Sequence, residues 1–255
     1  FDGENGAGRM QNRRGLFAGM QSGRLSGFVP YKGTKDLPNA GRISRFIRNF
    51  VDMKVALCQF SMEWEAAARN LRRAEELVAQ AGADLALLPE MFATGFVTEP
   101  WRTALPDEEE LLAWMRRTAR RYATALAGSA VVRSGDRFAN RFFFVRPAGG
   151  AERYDKRHLF SIGGEDAHFV AGRWRVVVEY GGLRFLPLVC YDLRFPVWCR
   201  CRSDYDAILC VASWPAPRRE VWRTLLRARA IENQAYVVGV NRTGDEPWNH
   251  YAGDS

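Results

Sequence analysis

From Met53 onward, apolar and polar positions alternate in a regular way. "MKVALCQF" alternates and then runs apolar, which predicts a buried strand over 54–60. Trp64, Ala67, Ala68, Leu71, Ala74, Leu77, Val78 and Ala81 recur at helical spacing, predicting a helix over 63–81 that Gly82 ends. "ADLALLPE" predicts a second buried strand, with Glu90 at its C-terminal end. Asp107, followed three residues later by Glu110, has the capping-box pattern and opens another helix. Strand 127–132, the Ser134-Gly135-Asp136 turn and strand 138–146 read as a hairpin, and "RWRVVVEYGGLRFLPLVC" as another, turned at Gly181-Gly182. A short helix after Pro196, the strand "DAILCVAS", a helix over 219–233 and the strand "AYVVGV" complete the series. No repeat of solenoid period interrupts it. Strands and hairpins set between helices predict stacked sheets covered by helices, a layered α/β domain.

Residues 1–52 follow no such pattern. They are rich in Gly and Arg, and only "RISRFIRNF" could form a short amphipathic turn or two. We expect a disordered or non-native N-terminal extension over 1–52 and one folded domain over 53–255.

Composition narrows the class. With 47% apolar and 13% aromatic residues in 255, the chain can bury a sizeable core. No apolar run approaches the roughly 20 residues of a membrane span, and no signal-peptide pattern opens the chain, so neither a membrane partner nor secretion is expected. Five cysteines, an odd number without framework spacing, fit a reducing cytoplasm. Cys199 and Cys201 form a C-x-C pair with no second pair at zinc-site spacing, so no metal is expected. The net charge is +8, but nine Lys/Arg against four Asp/Glu in residues 1–52 carry +5 of it, leaving +3 for the domain. Arg116, Arg117, Arg120 and Arg121 follow an acidic first turn on one helix and read as a solvated face. The domain is therefore not expected to bind nucleic acid. A basic nucleic-acid-binding protein acting through residues 1–52 is the rival reading from another class. Neither G-x-G-x-x-G nor a Walker loop is present, which leaves nothing to cradle a nucleotide.

Candidate chemistry stands at the ends of three strands: Glu90 in "LLPEMFATGF", Lys156 in "YDKRHLF" and Cys190 in "LPLVCYDLRFPVW". Unpaired cysteine is commonly a core residue, so Cys190 can be read as a small core side chain or as a nucleophile at a strand tip. Tyr191, Asp192 and Arg194 crowd polar groups onto that tip, and Pro196 discourages the strand from resuming. A thiol there gains from a carboxylate that takes its proton and from an ammonium that stabilises the anions formed. His158 and His168 flank the lysine and invite a Cys–His alternative, although His158 reads better as a packing residue that orients the lysine loop. Trp214, in "ASWP", is either a pocket wall or a core aromatic. Arg194 either pairs with Asp192 or a neighbouring helix, or holds a substrate carboxylate bidentately.

"PEMFATGF", "YDKRHLFSIGGE" and "CYDLRFP" closely resemble the three catalytic motifs of the nitrilase superfamily of carbon–nitrogen hydrolases. "ASWPAPRREVWRTLLRARAIENQAYVVGVNRTG" resembles its omega-amidase branch, and the resemblance covers residues 53–255. It implies an αββα sandwich that pairs into homodimers through its helices. It also implies further strands beyond "YAGDS", so a C-terminally truncated domain is expected. By position it makes Cys190 the nucleophile, Glu90 the general base, Lys156 the cation beside the oxyanion and Glu165 a second glutamate that positions substrate; a plain loop acid is the other reading of Glu165. The backbone N–H of Tyr191 becomes a second oxyanion donor. No metal or organic cofactor is implied. The substrate would be a small amide, with 2-oxoglutaramate and 2-oxosuccinamate suggested by the omega-amidase likeness and a carbamoyl compound, a nitrile or another amide as alternatives within the superfamily.

Overall fold

Strands buried on both faces read as continuous apolar runs, and here their alternate residues feed different layers. The computed structural model describes residues 20–22, 53–102 and 107–255. Its strands are β1 (Met20–Ser22), β2 (Val55–Cys58), β3 (Leu85–Leu87), β4 (Ala125–Ser134), β5 (Arg137–Val145) and β6 (Ala151–Asp155), then β7 (Val178–Tyr180), β8 (Leu183–Val189), β9 (Ala207–Ala212), β10 (Tyr236–Asn241), β11 (Thr243–Asp245) and β12 (His250–Ala252). Its helices are α1 (Ala67–Ala81), α2 (Glu108–Tyr122), α3 (Glu165–His168), α4 (Pro196–Cys199) and α5 (Arg219–Asn233).

One sheet has the order β1-β2-β3-β4-β5-β6, parallel from β2 to β4 and antiparallel elsewhere. The other runs β10-β9-β8-β7, parallel except for the β7–β8 hairpin. Leu85 and Leu87 of β3 and Phe142 and Phe144 of β5 pack against Phe185 and Val189 of β8 and Leu209 and Val211 of β9. On the outer face of the first sheet, Ala86 meets Leu77 and Val78 of α1 and Leu112 and Met115 of α2. On the outer face of the second, Leu186, Leu188, Ile208 and Cys210 meet Trp222 of α5. Each fully buried Leu or Phe contributes about 1.5–3 kcal/mol, so three such layers fix the order helix, sheet, sheet, helix. This is the expected αββα sandwich.

Local chemistry sets most boundaries. Gly181 (φ 58) and Gly182 (φ 77) both take positive φ, as a two-residue I′ hairpin between β7 and β8 requires. Asp107 caps α2 by accepting from the Glu109 N–H at 2.8 Å, and Arg117, Arg120 and Arg121 are exposed on that helix, as the charge pattern predicts. Helix α1 starts at Ala67 rather than at residue 63. Asn70 explains the difference: its side chain accepts from the Glu63 N–H and donates to the Glu63 and Ala93 carbonyls, which holds the preceding turn open. Trp64 is thereby released from the helix face to line a cavity. The short β11–β12 hairpin was not predicted. Within the leading segment, Met20–Ser22 pairs with β2, so three residues of the expected disordered extension are a strand; the rest of that expectation lies outside the described residues.

Candidate active site

The site forms where three strands end. Beyond β3 the chain turns through Glu90 and Met91, with Met91 at φ 47 and its N–H donated to Ser129 Oγ at 3.1 Å. Lys156 follows β6 directly, and its N–H donates to the Asn140 carbonyl at 2.9 Å. Cys190 follows β8 and begins a 3-10 turn, Cys190–Arg194, with φ 46. Strained, non-glycine positive φ of this kind costs about 1–3 kcal/mol and persists only where the surroundings enforce it. Here the enforcing group is Asp192, fully buried, whose Oδ2 accepts from the Val189 N–H at 3.1 Å and from Tyr154 Oη at 2.8 Å.

Glu90, Lys156 and Glu165 have no exposed side-chain surface. Lys156 Nζ donates to Glu90 Oε1 at 2.9 Å and to Glu165 Oε2 at 2.8 Å. Asn140 Nδ2 reaches the same two residues, Glu90 Oε1 at 2.8 Å and Glu165 Oε1 at 3.1 Å. Each carboxylate takes a third donor from the backbone: Ser213 N–H to Glu90 Oε2 at 2.9 Å, and Phe160 N–H to Glu165 Oε2 at 2.7 Å. Buried charges are tolerated only when paired and hydrogen-bonded in this way. Ser213 also links the carboxylate to the thiol, since its carbonyl lies 4.0 Å from Cys190 Sγ.

Electrostatics follow from this geometry. Burial alone would lower the Lys156 ammonium, but the facing carboxylates of Glu165 and Glu90 reverse that and hold it above its ordinary value. Burial pushes the Cys190 thiol well up, Glu90 pushes it further, and Lys156 pulls it back. Burial and Glu90 thus both favour the thiol over the thiolate, with a carboxylate beside it that can take its proton.

Lys156, Cys190, Tyr191, Arg194 and Trp214 all line one cavity of about 760 Å³, with Glu90 and Glu165 behind Lys156. Every site residue expected from the sequence is thus in one place. Two alternatives left open by the sequence are not seen. His158 packs, as the preferred reading has it, rather than facing Cys190 as a base: its Nδ1 lies 2.9 Å from Asp192 Oδ1 and its ring stacks on Phe195, while His168 packs edge-on against Trp101. Asp192 is in turn engaged by His158, Tyr154 and Val189 rather than by Arg194, whose guanidinium instead lies 5.1 Å from the Trp214 ring centroid. Trp214 proves to be both wall and core, packing on Trp222 while lining the cavity. Asn140, Ser213, Arg218 and Tyr251 escaped the sequence reading. Asn140 sits inside β5 and Tyr251 on β12, where pattern alone marks them as ordinary strand residues. Among the described residues, no group of three or more His, Cys, Asp or Glu side chains is gathered as metal ligands would be.

The carbon–nitrogen hydrolase family model matches residues 54–255. An omega-amidase, YafV, of Yersinia enterocolitica is 49% identical over 205 residues, covering 80% of this chain and 80% of that protein. A 2-oxoglutaramate amidase of Bacillus subtilis is 33% identical, covering 79% and 80%. Among solved structures, XC1258 of Xanthomonas campestris, a CN-hydrolase superfamily protein with an arsenic adduct in its active site, superposes with a TM-score of 0.76 at 42% identity, covering 80% of this chain and 81% of that one. The fold, the three motifs and these relatives agree: the chain belongs to the carbon–nitrogen hydrolase family, in its omega-amidase branch, and is a hydrolase acting on carbon–nitrogen bonds.

Proposed function

We propose that this protein is an omega-amidase that hydrolyses the terminal amide of short 2-oxo dicarboxylic acid monoamides through a thioester on Cys190. The meeting of Cys190 and Lys156 in one cavity wall, with Glu90 directly behind Lys156, carries the reading. Cys190 Sγ attacks the amide carbonyl carbon while its proton passes to Glu90. The oxyanion meets the Lys156 ammonium and the Tyr191 N–H, donors of a kind worth roughly 3–4 kcal/mol each. Glu90 returns the proton to the departing nitrogen as the C–N bond breaks, releasing ammonia and leaving the thioester. Water, deprotonated by Glu90, then attacks the thioester and frees the acid and the thiol. Glu165 holds Lys156 in line, Trp214 walls the substrate and Arg194 binds its carboxylate.

The substrate class is supported by Arg194, which lines the cavity with no carboxylate partner among the described residues, and by the activities named for the Yersinia and Bacillus relatives. Exposed Val221 and Ile231 on α5 support pairing of two copies through the helix layer, and five free thiols support a cytoplasmic location. Net charge over 53–255 gives no reason to add nucleic acid as a partner.

The test is ammonia release from 2-oxoglutaramate, 2-oxosuccinamate, an uncharged amide ester of similar length, an N-carbamoyl amino acid and a nitrile. We expect the two oxo acids to be used best, and Arg194→Lys to weaken their use sharply relative to the ester. Preference for the carbamoyl compound or the nitrile would replace this reading by another superfamily activity.

A further inference from the structure

Arg194 is not alone on its wall. Arg218 also lines the cavity, half-buried, with Cζ 5.3 Å from the Phe160 ring centroid. Arg194 Cζ lies 5.9 Å from the Tyr191 ring centroid, and the Phe160 and Tyr191 rings meet edge to face at 5.1 Å. Both guanidiniums therefore ride on one continuous aromatic surface, where cation–π attraction holds their stems without using their N–H groups. Neither has an ion pair among the described residues. Glu246, which also lines the cavity, is already occupied by the Phe96 N–H at 2.9 Å, by Tyr251 Oη at 2.7 Å and by Arg242.

Arg218 is placed by its backbone. It closes the 3-10 turn Ala216–Arg218 after Pro215, and its carbonyl accepts the Trp214 indole N–H at 2.9 Å.

A 2-oxo acid carries three acceptor oxygens on its last two carbons, two of the carboxylate and one of the ketone. One planar guanidinium fork satisfies two of them. The third needs a donor of its own, and a second guanidinium on the same wall can supply one. We propose that Arg218 is the second half of a paired clamp: Arg194 holds the carboxylate, Arg218 donates to the 2-oxo oxygen beside it, and together they select 2-oxo acid monoamides over plain acid monoamides. The proposal rests on the amide-hydrolysis reading above.

The test compares kcat/KM for 2-oxoglutaramate with that for glutaramate, which has a methylene in place of the ketone. In Arg218→Met the ratio of the two values should fall roughly ten- to a hundredfold, the loss of one charge-assisted hydrogen bond, chiefly through KM. Arg218→Gln, which keeps a stem on Phe160 and one donor, should fall between Met and wild type, and it stands in if the Met variant folds poorly. Arg194→Met should weaken both substrates together and leave their ratio in place. An unchanged ratio in both Arg218 variants overturns the paired clamp while leaving the omega-amidase reading intact. If the wild-type protein itself turns over neither acid, the omega-amidase reading fails, and the clamp with it.

Discussion

His158 meets Asp192 twice: its backbone N–H and its ring Nδ1 both lie 2.9 Å from the same carboxylate oxygen, Oδ1. The other oxygen holds Tyr154 Oη and the Val189 N–H, so one buried carboxylate ties the loop after Lys156 to the turn that carries Cys190.

Asp192→Ala should therefore act on both loops at once. It strands two buried donors, Tyr154 Oη and the Val189 N–H, each a loss of about 1–3 kcal/mol when left unsatisfied, and frees the two His158 contacts. We expect a markedly lower Tm together with a large drop in kcat, although Asp192 does not line the cavity. A variant that melts like wild type but loses activity would mean that Asp192 acts on substrate.

Cys190→Ala and Cys190→Gly should both abolish turnover, and they should differ in stability. The position holds φ 46, which glycine adopts without the steric penalty that any Cβ incurs. Chemical denaturation should place the Gly variant above the Ala variant by up to about 1 kcal/mol. The reverse order would show that the turn is unstrained.

The thiol's pH response gives a third test. Cys190 is held up by burial and by the Glu90 carboxylate, and pulled down by Lys156. Glu90→Gln removes one negative charge and leaves the ammonium, so the thiolate becomes easier to form. Iodoacetamide labelling of Cys190 should then rise at a lower pH than in wild type while turnover collapses. Cys58, held at about 12 by burial, should stay unlabelled in both. A midpoint displaced to higher pH would put Glu90 in a different role.

Asn140→Asp tests the bridge between the two carboxylates. A neutral donor to Glu90 and Glu165 becomes a third acid facing one ammonium, with like charges close together in a dry site. We expect a loss of kcat of at least tenfold and a Tm that falls as pH rises through the new group's titration, because its charged form is the one that repels. Flat stability across that range would show that the bridge is dispensable.

Sequence reading reached Glu90 and Cys190 because each ends an apolar run, and Lys156 through the complementary charge and the motif "YDKRHLF" around it, since the strand before it is mostly polar. The outer helices were legible through their period. Asn140 was not, because an amide within β5 looks like any outward strand position until the fold turns it against two acids. The β11–β12 hairpin was missed because three-residue strands carry too little alternation to register. Arg218 was hidden by its setting: it follows Pro-Ala-Pro in a stretch with many arginines, and only the tertiary path of that turn separates it from the solvated ones.

Glu90 and Lys156 are mounted on the first sheet, Cys190 on the second. The thiol and its base thus belong to opposite jaws of a vice, and the side chains clamped between them set its opening. Phe144 and Phe185, stacked with centroids 6.3 Å apart across that gap, act as its shims. A methylene lost from that filling should therefore be felt twice, as a loss of stability and as a shift in the spacing between the thiol and its base.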